Sequence, residues 1–138
     1  MSEEPSIESV VFRAGRTDDL NFIYSSWLKG LRYGNDWFEA IDQYQYFRAY
    51  HQVLENVLIR PNCSIKVACL ASDPDVILGY SVFEGSKIHW IFVKRRWRGI
   101  GLGKQLLPVT MSVCTHLTKI GKSLLKKFPD VRFNPFEI

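Results

Sequence analysis

Between residues 93 and 104 the chain reads Val-Lys-Arg-Arg-Trp-Arg-Gly-Ile-Gly-Leu-Gly-Lys, and no other stretch constrains the fold as much. A β-rich apolar run from Lys87 to Val93 precedes it, and a short helical run from Gly101 to about Leu107 follows. Glycines at 99, 101 and 103 let backbone N–H groups crowd toward one point, because a residue without Cβ adopts positive φ freely. The start of a helix adds unpaired donors and the positive end of aligned peptide dipoles. Strand, loop and helix together predict a cradle for phosphate oxygens, and Arg96, Arg98 and Lys104 add charge to it. A glycine-softened surface turn is the alternative. Two phosphate loops are excluded by spacing. A P-loop needs Ser or Thr after Gly-Lys, and here Gln105 follows Gly103-Lys104. A dinucleotide fold needs Gly-x-Gly-x-x-Gly early in a parallel sheet, whereas this loop follows a run of hairpin signals.

Those signals lie upstream. Val10-Val11-Phe12 suits a first strand, and Thr17-Asp18-Asp19 offers a helix N-cap with an acidic first turn. Leu20, Ile23, Trp27, Leu28 and Leu31 recur at helical spacing, with a stop near Gly30 to Gly34. A second helix is predicted over Asp42 to Leu58, its apolar face carrying Tyr46, Phe47, Tyr50, Val53, Leu54, Val57 and Leu58. Ser64 to Leu70 and Val76 to Glu84 read as strands around a turn at residues 72–75, and Gly85-Ser86 leads into the third strand of a meander. Pro108 must end the helix after the loop, because it lacks an N–H and clashes with the preceding turn. Met111 to His116 is predicted as a strand. Leu117 to Phe128 is predicted as a basic helix with Ile120, Leu124, Leu125 and Phe128 inward, and Val131 to Phe133 as a last short strand.

A chain of 138 residues suits one domain, here residues 8–138 behind a flexible lead over 1–7. The net charge of +4 favours anionic partners or a merely basic solvated surface. Cys63, Cys69 and Cys114 are odd in number and form no Cys-x-x-Cys, which argues against a disulfide framework or a metal site. No apolar run approaches the roughly 20 residues of a membrane span. The expected setting is the cytoplasm, with no membrane partner.

Arg98-x-x-Gly101-x-Gly103 matches the Arg/Gln-x-x-Gly-x-Gly/Ala signature of the GCN5-related N-acetyltransferase (GNAT) superfamily. Phe12-Arg13-Ala14 with Thr17-Asp18-Asp19-Leu20 is similar to that family's first strand-to-helix turn, and Gly79-Tyr80 to its third strand. The resemblance covers roughly residues 8 to 133. It implies the GNAT fold, an α/β (α+β) domain with a mixed, mostly antiparallel sheet flanked by helices. More narrowly, Ser26-Trp27-Leu28, Val67-Ala68-Cys69, Ile88-His89-Trp90, Thr115-His116-Leu117-Thr118 and Phe133-Asn134-Pro135 resemble small phage-encoded GNAT-like proteins. The resemblance implies acetyl-CoA, or another acyl-CoA, as cofactor. Its pyrophosphate would lie on Arg98, Gly99, Ile100, Gly101, Leu102, Gly103 and Lys104, and its pantetheine arm along the backbone of Phe92 and Val93. Two departures stand out. About seven residues separate Gly103 from Met111, so the helix after the loop is shortened and the C-terminal part is expected to be truncated, without a seventh strand. The tyrosine that often serves as general acid in the penultimate helix is absent.

Acyl transfer to an amine needs a base, and often an acid for the departing thiolate. His89 is expected on the strand that carries the base in several GNAT enzymes, facing the same way as Ile91 and Val93; a packed, hydrogen-bonded histidine is the competing reading. Glu84 ends the preceding strand and reads as a candidate or as a solvated carboxylate. His116, with Thr115 and Thr118, could line the thiol end or cap the last helix. Tyr80 reads as core, His51 as surface packing and Cys114 as a buried thiol. Three functions stay open: an acyl-CoA-dependent N-acyltransferase acting by direct attack of a primary amine, a Mom-like phage protein acting on a nucleobase, and a non-catalytic GNAT-fold binder. Lys119, Lys122, Lys126 and Lys127 could meet nucleic acid, and the apolar tail from Phe133 to Ile138 could cover a second copy in a homodimer.

Overall fold

The computed structural model describes residues 4–138, with Ile120 described by its backbone alone. The expected flexible lead therefore lies partly outside the described residues, as does the inward placement of Ile120. At the described end of that lead, Ser6 caps a 3-10 turn over Ile7–Ser9.

In chain order the elements are β1 (Val10–Ala14), α1 (Leu20–Tyr33), α2 (Asp36–Glu39), α3 (Gln43–Leu58), β2 (Ser64–Leu70), β3 (Asp73–Glu84), β4 (Lys87–Val93), α4 (Leu102–Leu106), β5 (Val113–Cys114), α5 (Lys119–Leu125) and β6 (Arg132–Phe133). The strands form one sheet in the order β1-β2-β3-β4-β5-β6. The first four run antiparallel. β5 then lies parallel to β4, and β6 parallel to β5. This is the mixed, mostly antiparallel sheet flanked by helices that the sequence predicts, with α4 cut to five residues ahead of Pro108.

Helices α1 and α3 cover one face because their apolar stripes converge there. Ile23, Trp27 and Leu31 of α1 meet Tyr46, Leu54 and Val57 of α3 over Val67, Tyr80, Val82 and Trp90 of the sheet. Tyr46 buries its ring and donates its hydroxyl to the Leu28 carbonyl at 2.7 Å, which removes the cost of an unpaired buried polar atom. Gly30 sets how closely α1 approaches β4: a Cβ there would sit 2.9 Å from the Trp90 ring. The other face carries Trp97, Leu102 and Leu106 packed on Ala68 and Leu78. Leu124, Leu125 and Phe128 join Ile88, Leu107 and Cys114 in a third cluster.

Several local expectations give way. Thr17 does not cap α1. Residues Thr17–Asp19 form a 3-10 turn in which the buried Asp19 carboxylate accepts from the Arg16 N–H at 2.7 Å and from both forks of Arg13 at 2.8 and 2.9 Å. Arg13 holds that carboxyl below its usual range against the opposing effect of burial. The turn expected at 72–75 is absorbed into β3, which begins at Asp73 through register shifts around Cys69. The Arg13 guanidinium donates to the Pro74 carbonyl there. The short helix α2 had no signal in the sequence strong enough to separate it from the loop. The strand expected over 111–116 shrinks to Val113–Cys114, and Thr115 and His116 just after it turn their side chains into a buried network. The helix expected from Leu117 starts at Lys119, since Thr118 accepts from the Gly121 N–H at 3.0 Å and acts as the N-cap.

Candidate active site

The chain leaves β4 through a 3-10 turn at Arg95–Trp97. Trp97 is buried in the cluster of Leu102 and Leu106, which anchors the loop to the sheet. Gly99 and Gly101 then take φ of 84° and 92°. A Cβ at either would meet nothing within 4 Å, so these glycines serve the backbone conformation and not tight packing. Among the described residues, no protein acceptor pairs with the N–H groups of residues 99–103; the first bond of the turn is Gln105 N–H to the Gly101 carbonyl at 3.3 Å. Arg95, Arg98 and Lys104 are exposed around these donors. Arg98 is oriented by its Nε, which donates to the Val93 carbonyl at 2.9 Å and leaves the guanidinium fork facing outward. A glycine loop with unpaired N–H donors and exposed cations on either side fits the pyrophosphate of an acyl-CoA.

Beside the loop, β4 and β5 part company. They pair only at Lys87 with Val113 and Ile88 with Cys114, and the last bond between them is Thr115 N–H to the Ile88 carbonyl at 3.0 Å. From His89 onward that edge of β4 lies open. The Lys94 N–H donates to Leu78 on β3, so strand alternation turns Phe92 toward β3 and leaves Ile91 and Val93 with backbone groups along the open edge. Of the two backbone positions expected to meet a pantetheine arm, Phe92 turns its backbone toward β3, and Val93 lies along the open edge with its carbonyl accepting from Arg98.

All three candidate catalytic side chains meet at the vertex of this gap. A bulge between Val82 and Phe83 makes His89 the extra residue of β4. It therefore does not share the face of Ile91 and Val93, which pack against the α4 side. Its ring is 1% exposed and engaged at both nitrogens, Nε2 to Glu84 Oε1 at 2.6 Å and Nδ1 to Thr115 Oγ1 at 2.8 Å. Thr115 Oγ1 also meets His116 Nδ1 at 2.9 Å, and His116 Nε2 meets the Tyr50 hydroxyl of α3 at 2.5 Å. Arg60 donates to the same Glu84 oxygen at 2.9 Å. His116 is wedged edge-on against Trp27 and Trp90, which stack 5.6 Å apart.

The electrostatics are consistent along the row. Burial pushes the His116 imidazole down to about 3 and lowers His89, whose loss is only partly offset by Glu84. Burial alone would raise the Glu84 carboxyl, but hydrogen bonds from His89 and Arg60 outweigh it and hold the group below its usual range. Burial lifts the Tyr50 phenol to about 12. These shifts favour neutral rings at His89 and His116 and an ionised Glu84.

Tyr50 and Arg60 escaped the sequence reading as functional residues. Tyr50 sits in an aromatic stripe that periodicity assigns to packing, and Arg60 in the segment that ends α3. Tyr80 is core, fully buried, donating to the Ile23 carbonyl at 3.1 Å with Ser26 at 2.7 Å. His51 stacks on Tyr24 and lies 3.3 Å from Glu55 at the surface. Cys114 is buried, and burial raises its thiol above the ordinary range. Among the described residues no group of three or more His, Cys, Asp or Glu could hold a metal ion, and no helix is long and apolar enough to cross a membrane.

No family model and no curated protein sequence matches the chain. Solved structures do match its fold. A candidate acetyl transferase from Pyrococcus furiosus is 16% identical, with a TM-score of 0.60 over 91% of this chain and 80% of that one. The ribosomal-protein-alanine N-acetyltransferase of Brucella melitensis biovar Abortus is 15% identical, with a TM-score of 0.54 over 86% and 88%. A candidate GNAT-family acetyltransferase from Staphylococcus aureus is 14% identical, with a TM-score of 0.51 over 69% and 82%. At these identities the likeness shows a shared fold, that of GNAT-family acetyltransferases.

Proposed function

We propose that the chain is an acyl-CoA-dependent N-acyltransferase, with acetyl-CoA as donor and a primary amine as acceptor. One observation carries this: a row of unpaired N–H donors, bent by Gly99 and Gly101, stands at the mouth of the gap between β4 and β5. Residues Arg98 to Lys104 would hold the pyrophosphate, and the backbone of Ile91 with the N–H of Val93 would pair with the pantetheine arm as an added strand. The shared fold supports the reading, since the proteins that share it bear acetyltransferase names. When bound, the cofactor would supply an activated acyl thioester, and Thr115 and His116 stand at the vertex of the gap beside it.

Transfer is direct. A covalent route through Cys114 would need a thiolate, and burial opposes it. Of the candidate groups, His89 is enclosed and doubly bonded, so it acts through its neighbours and does not touch the acceptor. Glu84 anchors it as the negative end of the row.

Titration calorimetry with coenzyme A tests the reading, with native mass spectrometry for co-purified cofactor beside it. Micromolar binding is expected. A chain that binds no coenzyme A but binds duplex DNA in a salt-sensitive way would replace this function with the nucleobase one.

A further inference from the structure

We propose that Tyr50, His116, Thr115, His89 and Glu84 form a proton relay that carries the acceptor's proton from the gap to the open depression beside the β3–β4 hairpin. The proposal rests on the acyltransferase reading and names the route its proton takes.

The direction follows from counting protons. Glu84 is held as a carboxylate by Arg60 and His89 and can only accept. His89 must then carry its proton on Nε2, because its ring is neutral and has one to give. Its Nδ1 is left as an acceptor, so Thr115 donates to it. The Thr115 oxygen, having spent its hydrogen, accepts from His116 Nδ1–H. His116 is neutral too, so its Nε2 accepts, and Tyr50 donates. With both rings neutral each link fixes the next, and one arrangement satisfies all five groups. The links join four parts of the chain: α3, the segment after β5, β4 and the end of β3.

The two ends differ. Glu84 lines an open depression with Pro61, Asn62, Ser64 and Lys87, so a proton delivered there reaches water. Tyr50 is half-buried between Phe38 and Tyr46, and among the described residues its oxygen has no hydrogen-bond partner other than His116. It is the intake. As the amine attacks, its N–H bond breaks and a Tyr50 O–H bond forms. The Tyr50 hydrogen moves to His116 Nε2, the His116 Nδ1 hydrogen to Thr115, the Thr115 hydrogen to His89 Nδ1, and the His89 Nε2 hydrogen to Glu84. The pair freed on nitrogen makes the C–N bond, and the pair of the broken C–S bond stays on sulfur. Glu84 then releases its proton to solvent, and once the product has left the row resets by the reverse shift, Glu84 taking up a proton from water and Tyr50 giving one to water in the emptied gap. Tyr50 is the group that meets the acceptor; His116, Thr115 and His89 are positioning residues that pass the proton on.

The experiment uses the full chain. Long-range 1H–15N NMR of histidine-labelled protein at neutral pH should show both rings neutral, His89 as the Nε2–H tautomer and His116 as the Nδ1–H tautomer. Either ring in the opposite tautomer, or charged, overturns the relay, and it does so whether or not coenzyme A binds. Thiol release from acetyl-CoA with hydroxylamine as the acceptor tests transport. Thr115→Val should lower release by about 10- to 100-fold, Thr115→Ser should restore it, and neither should change the Kd for coenzyme A. Equal release by the wild type and Thr115→Val overturns the proposal, and so does a wild type that binds coenzyme A and releases no thiol. Loss of coenzyme A binding with both tautomers as stated sinks the acyltransferase reading and leaves the hydrogen-bond order standing.

Discussion

The glycine loop and the histidine row sit at opposite ends of β4, and they handle polar groups in opposite ways. Among the described residues the loop's N–H donors have no protein acceptor, and Gly99 and Gly101 are exposed. Water solvates them at little cost until an anion displaces it. The row is enclosed, with His89 and Thr115 almost fully buried. An unpaired donor or acceptor there costs about 1–3 kcal/mol, so the row is satisfied by the protein itself. The loop is thus open and under-bonded, as a ligand site would be, whereas the row is closed and complete, as the proposed relay requires. Substitutions at the two ends should separate cleanly.

The sharpest test of that separation is Gly101→Asp. The carboxylate would repel phosphate, and any side chain at a φ of 92° strains the loop. Calorimetry should show coenzyme A bound about 100-fold more weakly, equivalent to ~2.7 kcal/mol, while the tautomers of His89 and His116 stay as they are. Unchanged affinity would remove the loop from the site.

Acid should strike the other end. Folding holds His116 neutral down to about 3, while the unfolded chain takes up a proton near the ordinary imidazole value of 6.5. Its contribution is full above pH 6.5 and is lost as pH falls from there toward 3. One proton corresponds to ~1.4 kcal/mol per pH unit within that window, and the lowered imidazole of His89 acts with the same sign. Urea midpoints should drop between pH 7 and pH 5. Midpoints that do not move would mean the row is wetter than its burial implies.

Arg98→Ala should cost less, about threefold in coenzyme A affinity, because the backbone donors remain and an exposed charge is worth little. A loss as large as that of Gly101→Asp would make the guanidinium, and not the loop backbone, the main phosphate ligand.

The smallest expected effect concerns the tail. Phe136 is 93% exposed, while Ile138 packs against the chain's own core. Light scattering at micromolar concentration should give twice the 16.0 kDa of one chain, and deletion of residues 133–138 should weaken that dimer. A monomer mass would leave Phe136 as a solvated side chain.

Much of the frame was legible in the residues. Trp27 and Leu31 recur at helical spacing, Gly85-Ser86 marks the hairpin, and Pro108 ends α4 where an absent N–H demands it. The loop was legible because its signal is contiguous. Other parts were not. The turn expected at 72–75 gave way to a bulged strand paired with β2, and the Pro74 carbonyl there accepts from Arg13, 61 positions away. His89 left the face that alternation assigns it because of a bulge whose partner lies on β3. Tyr50 looked like one more ring on an apolar stripe.

By itself, then, the sequence determined the elements, the antiparallel meander and the glycine loop, since each depends on interactions among near neighbours: periodicity, turn chemistry and the freedom of φ at Gly99 and Gly101. The tertiary structure alone decided the row from Tyr50 to Glu84. Its links span 66, 1, 26 and 5 positions, and no local pattern encodes them. They arise because α3 packs over the point where β4 and β5 separate, and because buried polar atoms there must find partners on one another.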